Sequence, residues 1–340
     1  MRVLADLHHL GLYKSLYLLF EERLGMELYR PIGSDWFAEG FFWIAENYGN
    51  DWQTINQFLS PHQEALPDEP RYRLNQVDVV ENGVYHIGFQ RAIELQTFKK
   101  MKFDYIIASI PKHYREFTRL RDLYQPDAKV ICQVGNKFDF PWEWAQNILT
   151  SSKYDKIPDD KNVIHYHQEF PLDIFSFSEV PYSRRAGSFL HLFNRYKDYP
   201  LWLEIQQHMS DWTFKEYGAE GKEKYLGTDK ELADAMQMCD LIFHFKDGGD
   251  GYGHIIHNIF AMGRVVVTKE EYYKDSMAGD LMVDGVTCLF WRDGKDIAWN
   301  IARILEADLG EIGANAFAKF TQVVDFEKEA DDVRGWLEEL

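Results

Sequence analysis

The residues best suited to chemistry lie in the stretch "FKDGGDGYGHIIHNIFAMG", residues 245–263. Four glycines, at positions 248, 249, 251 and 253, stand between an apolar run and a segment with polar residues at helical spacing. Glycine tolerates positive φ and lets the backbone approach a ligand closely. The first amides of a helix attract an anion. The pattern predicts a strand, a glycine loop and a helix that together bind phosphate, with an ordinary turn as the alternative.

Two cations follow a second apolar run, "SFLHLF" at residues 188–193. They are Arg195 and Lys197. A guanidinium binds phosphate oxygens in a fork, an ammonium acts as a point charge, and both suit the negative charge that develops on a leaving phosphate. An exposed turn is the alternative reading of these two residues.

The glycine stretch resembles the donor-site motif of GT-B glycosyltransferases, especially the retaining family-4 type. That consensus runs Glu-x-Phe-Gly, then apolar residues, then Glu-Ala-x-Ala-x-Gly-x-Pro-Val-Val. In this register Asp250 replaces the first Glu and Asn258 the second, while Gly253 and Gly263 match the glycines before and after the helix.

A second segment agrees with that register. "MVDGVTCLFW" (282–291) is similar to the family's DG-x-TG-x-L segment, with Cys288 where the second glycine usually falls. The resemblance covers most of residues 188–306. It implies a fold of two Rossmann-like, doubly wound α/β domains that face a central cleft.

The resemblance also implies roles for the residues of the donor site. Asp250 would contact the sugar hydroxyls as a catalytic residue, and Asn258 would contact the ribose of the nucleotide. Asp is shorter than Glu and Asn is neutral, so both positions depart from the family pattern. The donor diphosphate would be held by the loop amides and the two cations, that is, by Gly251, Tyr252, Gly253, His254, Arg195 and Lys197.

The first half of the chain offers several histidines but does not choose among them. His8 and His9 follow the first predicted strand, at the edge of the sheet where ligands bind in doubly wound folds. The family places a histidine of this domain against the sugar, which implies a catalytic role for His8 and His9. Acceptor-side alternatives are Asn136, His113 and His165, with His167 competing for the same role.

Alternating strand and helix patterns predict two α/β domains, with a hairpin turn at Asn82–Gly83, a helix over residues 90–101 and a strand at residues 188–193. Residues 1–175 would form an acceptor-side domain and residues 176–310 a nucleotide-sugar domain. The resemblance to the GT-B fold implies that residues 311–340 form helices that cross back toward the first domain. We expect no cofactor and no metal, since GT-B enzymes generally stabilise the leaving group with a helix dipole and basic residues.

Composition limits the partners. The formal net charge is −18, which opposes general binding of polyanions. Between Arg91 and Lys137, however, ten Lys and Arg stand against five Asp and Glu, a local balance of 10 − 5 = +5. Three separated cysteines, an acid and two histidines near the N-terminus, and the lack of a membrane-length apolar run predict a cytoplasmic protein with no membrane span.

The predicted function is transfer of a sugar from a nucleotide-sugar donor, without metal and with retention, to an acceptor that is a saccharide, a lipid-linked molecule or DNA. A phage enzyme acting on modified DNA bases is one alternative. A nucleotide-sugar epimerase or hydrolase, or a non-catalytic nucleotide-binding protein, is another. The sequence does not predict the oligomeric state.

Overall fold

The structure is a computed structural model that describes residues 1–7, 10–39, 77–135, 144–153, 158–190, 196–218, 221–223 and 226–340. The chain divides into two compact units. The first contains Met1–Glu169 and Phe326–Leu340, and the second contains Phe170–Asp325. Among the helices of the described ranges, none combines the length and apolar character that a bilayer crossing requires.

The first unit is built on a largely parallel sheet. Within the described residues it has nine strands in the order β3-β4-β5-β2-β1-β6-β7-β8-β9. Only β4 runs antiparallel to its neighbours. The strands are β1 Arg2–Ala5, β2 Glu27–Pro31, β3 Val77–Glu81, β4 Val84–Ile87, β5 Gln90–Ile93, β6 Tyr105–Ala108, β7 Lys129–Val134, β8 Asn147–Thr150 and β9 Asn162–His165.

Helices cover both faces of this sheet, because alternate residues of each buried strand point to opposite sides. Val3 and Ala5 pack on one face and Leu4 on the other. The first face is covered by α1 Leu10–Tyr17, the π-helical turn Leu18–Arg23 and α11 Phe326–Glu339. The second is covered mainly by α3 Leu95–Phe98 and α4 Pro111–Tyr124, and α2 spans Ser34–Ala38.

The second unit has an all-parallel sheet in the order β11-β10-β12-β13-β14 within the described residues. The strands are β10 Arg185–Ser188, β11 Thr213–Glu216, β12 Leu241–Phe243, β13 Val265–Thr268 and β14 Leu289–Phe290. The helices are α5 Tyr199–His208, α6 Asp229–Gln237, α7 His254–Ala261, α8 Glu270–Tyr273, a 3-10 helix at Met277–Leu281, α9 Ile297–Glu306 and α10 Leu309–Val323.

Two of the predicted elements are wrong in detail. The helix predicted over residues 90–101 begins as strand β5, which pairs with β4 and β2 and is followed by the short helix α3. The strand predicted at 188–193 is β10, which ends at Ser188. By contrast, the Asn82–Gly83 hairpin turn is confirmed, since both residues have positive φ.

The unit boundaries differ from the predicted domain boundaries. The change of unit falls after Glu169, a few residues before the predicted position, and the returning segment begins at Phe326 rather than at residue 311. The reason for the second difference is α10, which packs along α7 and β13 and so belongs to the second unit.

Candidate functional site

The carboxyl edge of the second sheet brings Lys197 and the glycine loop close to each other. Because its strands are parallel, the segments that follow β10, β12, β13 and β14 all begin at this edge. The segment after β10 carries Lys197, and the segment after β12 is the glycine loop, residues 247–253. The loop leads directly into α7.

The glycine loop has a backbone that requires glycine at defined points. Gly248, Gly249 and Gly253 have φ of 81°, 68° and 85°. A Cβ on Gly249 would overlap the carbonyl oxygen of Tyr272. Gly253 is the N-cap of α7 and has no side chain to occupy the first amides of the helix. The cap residue therefore leaves these amides without a side-chain acceptor, and helix amides of this kind can bind an anion.

Asp250 of the glycine loop is at the centre of a network of charged and polar side chains. Its carboxylate pairs with the Lys246 ammonium, lies 3.4 Å from His244 Nε2, and accepts a 3.2 Å hydrogen bond from the Tyr273 hydroxyl. Burial favours a raised pKa for Asp250, but the hydrogen bond from His244 and the charge of Lys246 outweigh it and hold the pKa below its usual range. Asp250 is therefore an anion that His244, Lys246 and Tyr273 fix in place.

Lys197 lies against the glycine loop. Its backbone N–H donates to Asp247 Oδ1 at 3.3 Å, and its ammonium lies 5.2 Å from the centre of the Tyr272 ring. The Tyr272 hydroxyl in turn donates to Asp198. The structure thus places the segment after β10 and the segment after β12 in contact, as the phosphate-clamp prediction needs.

Sequence reasoning missed the cluster beside Lys197. Lys269, just after β13, is buried and donates to Asp198 Oδ1 at 3.0 Å and to Asp293 Oδ2 at 2.7 Å. The available signal was positional, since Asp198, Lys269 and Asp293 each follow a strand of the second sheet. Charged residues at the carboxyl ends of parallel strands are expected to meet at one edge.

The other predicted residues of α7 and its loop are mostly buried. Tyr252 stacks on His257 with ring centres 4.0 Å apart and meets His254 edge-on at 5.0 Å. Gly251 is also buried. Asn258 is 4% exposed, and its Oδ1 has no hydrogen-bond partner among the described residues. A buried amide oxygen without a partner is costly, which marks Asn258 as a residue suited to a ligand.

In the first unit, His113 belongs to a buried cluster at the ends of β1 and β6. Its Nδ1 lies 2.6 Å from Asp6 Oδ2, and the Ser109 hydroxyl and backbone N–H both donate to the same carboxylate. His165 ends β9 and is exposed. Strands β6 and β9 are separated by β7 and β8, about 14 Å at the usual strand spacing, so the structure does not bring His113 and His165 together.

The remaining predicted site residues, His8, His9, Asn136 and Arg195, lie outside the described residues. The competing histidine, His167, is hydrogen-bonded to Glu329, with 2.6 Å between His167 Nδ1 and Glu329 Oε1. Over the ranges that the structure describes, no group of three or more His, Cys, Asp and Glu side chains has the arrangement of a metal site.

Charges of the basic window at residues 91–137 have carboxylate partners. Arg91 pairs with Glu21, and Arg119 pairs with Glu39 and Glu116. Arg121 and Lys102 also pair with acids, Asp122 and Asp127. Of these partners only Glu21 and Glu39 lie outside the window, so they lower its local balance from +5 to 5 − 2 = +3.

Comparison with known proteins shows which solved structures have a similar fold. No protein-family model and no curated protein matches the chain. Among solved structures the chain is similar to Anabaena HepE in complex with UDP and glucose, at 13% identity, 100% coverage of both chains and a TM-score of 0.65. HepE in complex with UDP-glucose gives 14% identity, the same coverage and a TM-score of 0.57.

Two further structures have the same architecture. Sucrose-phosphate synthase from Thermosynechococcus elongatus has 10% identity, covers 100% of this chain and 98% of its own, and has a TM-score of 0.65. A glycosyltransferase from Rickettsia africae has 12% identity, covers 99% of this chain and 98% of its own, and has a TM-score of 0.60. The predicted fold class is confirmed, because the chain has two Rossmann-like α/β domains in the GT-B arrangement of elements.

Proposed function

We propose that this protein is a glycosyltransferase that moves a sugar from a nucleotide-sugar donor to an acceptor hydroxyl. The observation that carries the proposal is the glycine loop at residues 247–253, which ends on the uncapped N-terminus of α7 and is contacted by the segment of Lys197. This loop stands at the carboxyl edge of a parallel sheet, where doubly wound folds bind nucleotides.

The donor would be bound in three parts. Its diphosphate would lie on the loop amides of Gly251, Tyr252, Gly253 and His254, with the ammonium of Lys197 and, from the sequence, Arg195 as counter-charges. Its ribose would hydrogen-bond to the unpartnered Oδ1 of Asn258. The anionic Asp250, held by Lys246 and Tyr273, would accept hydrogen bonds from the sugar hydroxyls.

The chemistry would be assisted by charge rather than by a proton donor on the leaving group. When the bond between the anomeric carbon and the phosphate oxygen breaks, the acceptor oxygen bonds to that carbon and negative charge moves to the diphosphate. The proton of the acceptor hydroxyl leaves to a diphosphate oxygen or to solvent. Backbone amides and fixed cations that already point at this oxygen stabilise the transition state. Retention of anomeric configuration and independence of metal are the outcomes that we propose from the resemblance to the family-4 type.

The choice of donor to test first follows from HepE, which has been crystallised with UDP-glucose. A DNA acceptor, and with it a phage origin, is the weaker candidate for two reasons. The net charge is −18, and Arg91, Arg119 and Arg121 are engaged by carboxylates, whereas DNA binding requires exposed Lys and Arg.

The test is thermal stabilisation by UDP-glucose, GDP-mannose and UDP, with and without EDTA, followed by assay of sugar transfer. A bound nucleotide at about 100 times its Kd stabilises the fold by about 2.7 kcal/mol. We expect Lys197→Met and Arg195→Ala to weaken binding, and Lys230→Met, a change at an exposed residue of α6, to have no effect.

Two results would contradict the proposal. One is that no nucleotide sugar shifts the melting temperature, so that the donor site does not exist. The other is nucleotide binding that is unaffected by Lys197→Met and Arg195→Ala. Turnover of the donor without any acceptor would instead identify an epimerase or hydrolase on the same scaffold.

A further inference from the structure

A groove of about 450 Å³ lies on the second unit, at the carboxyl ends of β13 and β14. It is lined by the start of α8, by the segment that follows β14 and by Trp299 near the start of α9. Its volume falls within the about 300–1,000 Å³ of small-molecule sites. The residues assigned to the donor site, Lys197, Asp250 and Asn258, do not line it.

The wall of the groove is held by hydrogen bonds and ion pairs within the protein. Asn300 is 1% exposed, and its side chain accepts from the Arg292 backbone N–H at 2.9 Å and donates to the Arg292 carbonyl at 3.1 Å. The Arg292 guanidinium is held by Glu270 at 2.9 Å and by Asp284 at 2.6 Å. Fixed polar groups lose little conformational entropy on binding, so they favour specific recognition.

An exposed indole forms the apolar part of the groove. Trp299 is 42% exposed although it is a large aromatic residue, and its backbone N–H is fixed by the helix cap at Asp296, 2.7 Å away. The Lys295 ammonium lies 5.5 Å from the ring centre, which restricts the indole by a cation–π contact. A flat aromatic surface of this kind packs against the C–H face of a sugar ring.

The charges around the indole define the ligand further. Three carboxylates, Glu270, Glu271 and Asp293, face two cations, Arg292 and Lys295, a local balance of 2 − 3 = −1. Lys269 pairs with Asp293 and brings this balance to 3 − 3 = 0, so the groove has no excess of cations with which to bind a phosphate, a nucleotide or DNA. A neutral saccharide needs none, since its hydroxyls donate to carboxylates and accept from cations.

The groove is connected to the predicted donor site through a series of polar contacts. Asp293, on the groove wall, binds Lys269, which also binds Asp198. Asp198 accepts from the hydroxyl of Tyr272, over whose ring the Lys197 ammonium lies. A sugar bonded to Asp293 would therefore be linked to Lys197 only through Lys269, Asp198 and Tyr272.

We propose that the groove around Trp299 binds a hexose ring of a saccharide, with the indole stacked on the ring and Glu271, Asp293 and Arg292 bonded to its hydroxyls. The identification of this saccharide as the acceptor of the transfer reaction rests on the proposed function. The proposal that the groove binds a saccharide does not depend on that function.

The experiment measures binding of four neutral disaccharides, cellobiose, maltose, lactose and N,N′-diacetylchitobiose, by saturation-transfer NMR and calorimetry. The full chain is used as wild type, Trp299→Ala and Trp144→Ala. Trp144 is the matched control because it is also exposed, at 44%, but lies in the first unit. We expect at least one disaccharide to bind and Trp299→Ala to weaken it about tenfold or more, as loss of an aromatic anchor does, while Trp144→Ala leaves it unchanged.

The same samples are tested for thermal stabilisation by UDP-glucose, which separates the two proposals. Disaccharide binding that depends on Trp299 without any effect of UDP-glucose would support the groove and contradict the donor site. No binding of any of the four disaccharides, or equal binding to wild type and Trp299→Ala, would overturn the groove proposal alone. Competition between uridine and the disaccharide would also overturn it, because the groove would then be a nucleoside site.

Discussion

Substitution of Asp250 by Asn tests whether the charged network holds the glycine loop. The change keeps the size of the side chain but removes its charge. The Asn amide group would then face the Lys246 ammonium or the His244 ring, both of which now point at a carboxylate. The Tyr273 residue is fully buried, so its hydroxyl must keep an acceptor in this position.

The size of the effect follows from the exposure of the partners. A hydrogen bond to a charged group contributes about 1.5–3 kcal/mol. The side chains of Lys246 and Asp250 are 32% and 20% exposed, so water replaces part of the lost interaction. We therefore expect Asp250→Asn to lower the free energy of unfolding by about 2 kcal/mol. For a unit of this size that is a drop in Tm of about 4–8 °C.

The pH dependence of Tm is a second, independent test of the stabilisation by the Asp250 charge. The pKa of Asp250 in the folded protein is below its ordinary value of 3.8. The stabilisation by its charge is therefore complete well above pH 4 and is lost as the pH falls through the folded-state pKa. The difference in Tm between wild type and Asp250→Asn should be constant between about pH 6 and 8 and should narrow below about pH 4.

A matched control is available within the same unit. Asp234 pairs with Lys230 at the same i,i+4 spacing, but the two side chains are 55% and 76% exposed. Asp234→Asn should cost less than about 0.5 kcal/mol. The reasoning is refuted if Asp250→Asn and Asp234→Asn have the same Tm at pH 7, or if the Asp250→Asn difference does not change with pH.

Three further predictions concern the glycine loop and its ligand. Gly249→Ala should lower the free energy of unfolding in urea by about 1–3 kcal/mol, because the added Cβ would overlap the Tyr272 carbonyl oxygen. Gly248 also has a positive φ but has open space around it, so Gly248→Ala should lower it by about 1 kcal/mol. Equal losses would contradict the overlap. Lys197→Met should weaken UDP binding about tenfold or more and make it less salt-dependent, and Lys197→Arg should restore it, as calorimetry at two ionic strengths would show. Asn258→Leu should leave Tm nearly unchanged, because the amide oxygen of Asn258 has no partner among the described residues. The same variant should bind the nucleotide more weakly. Unchanged nucleotide affinity would exclude Asn258 from the site.

Local patterns predicted the second unit well. Its strands are short, and three of them, β12, β13 and β14, are apolar runs. They alternate with helices that have clear caps, such as Thr228 before α6 and Asp296 before α9. Gly263, expected to end α7, does so with a φ of 65°. The order of these elements also placed Lys197 and the glycine loop at one sheet edge.

Long-range pairing explains what local patterns did not predict. Residues 90–93 have no strong strand preference, and they become β5 because β2 and β4 pair with them on both sides. The contacts of Asp198 with Tyr272 and Lys269 join positions more than seventy residues apart. No single-sequence pattern identifies such partners, and the same holds for the pairing of Asp6 with His113.

The first unit is completed by α11, which comes from the far end of the sequence. Ala330, Val333 and Leu337 belong to its core, and the Tyr105 hydroxyl donates to the Leu337 carbonyl at 3.1 Å. During synthesis on the ribosome, therefore, the second unit emerges whole before the first has all its parts. We expect a chain truncated after Asp325 to keep the second unit protected from proteolysis while the first becomes susceptible. Equal protection of both units would show that α11 is dispensable.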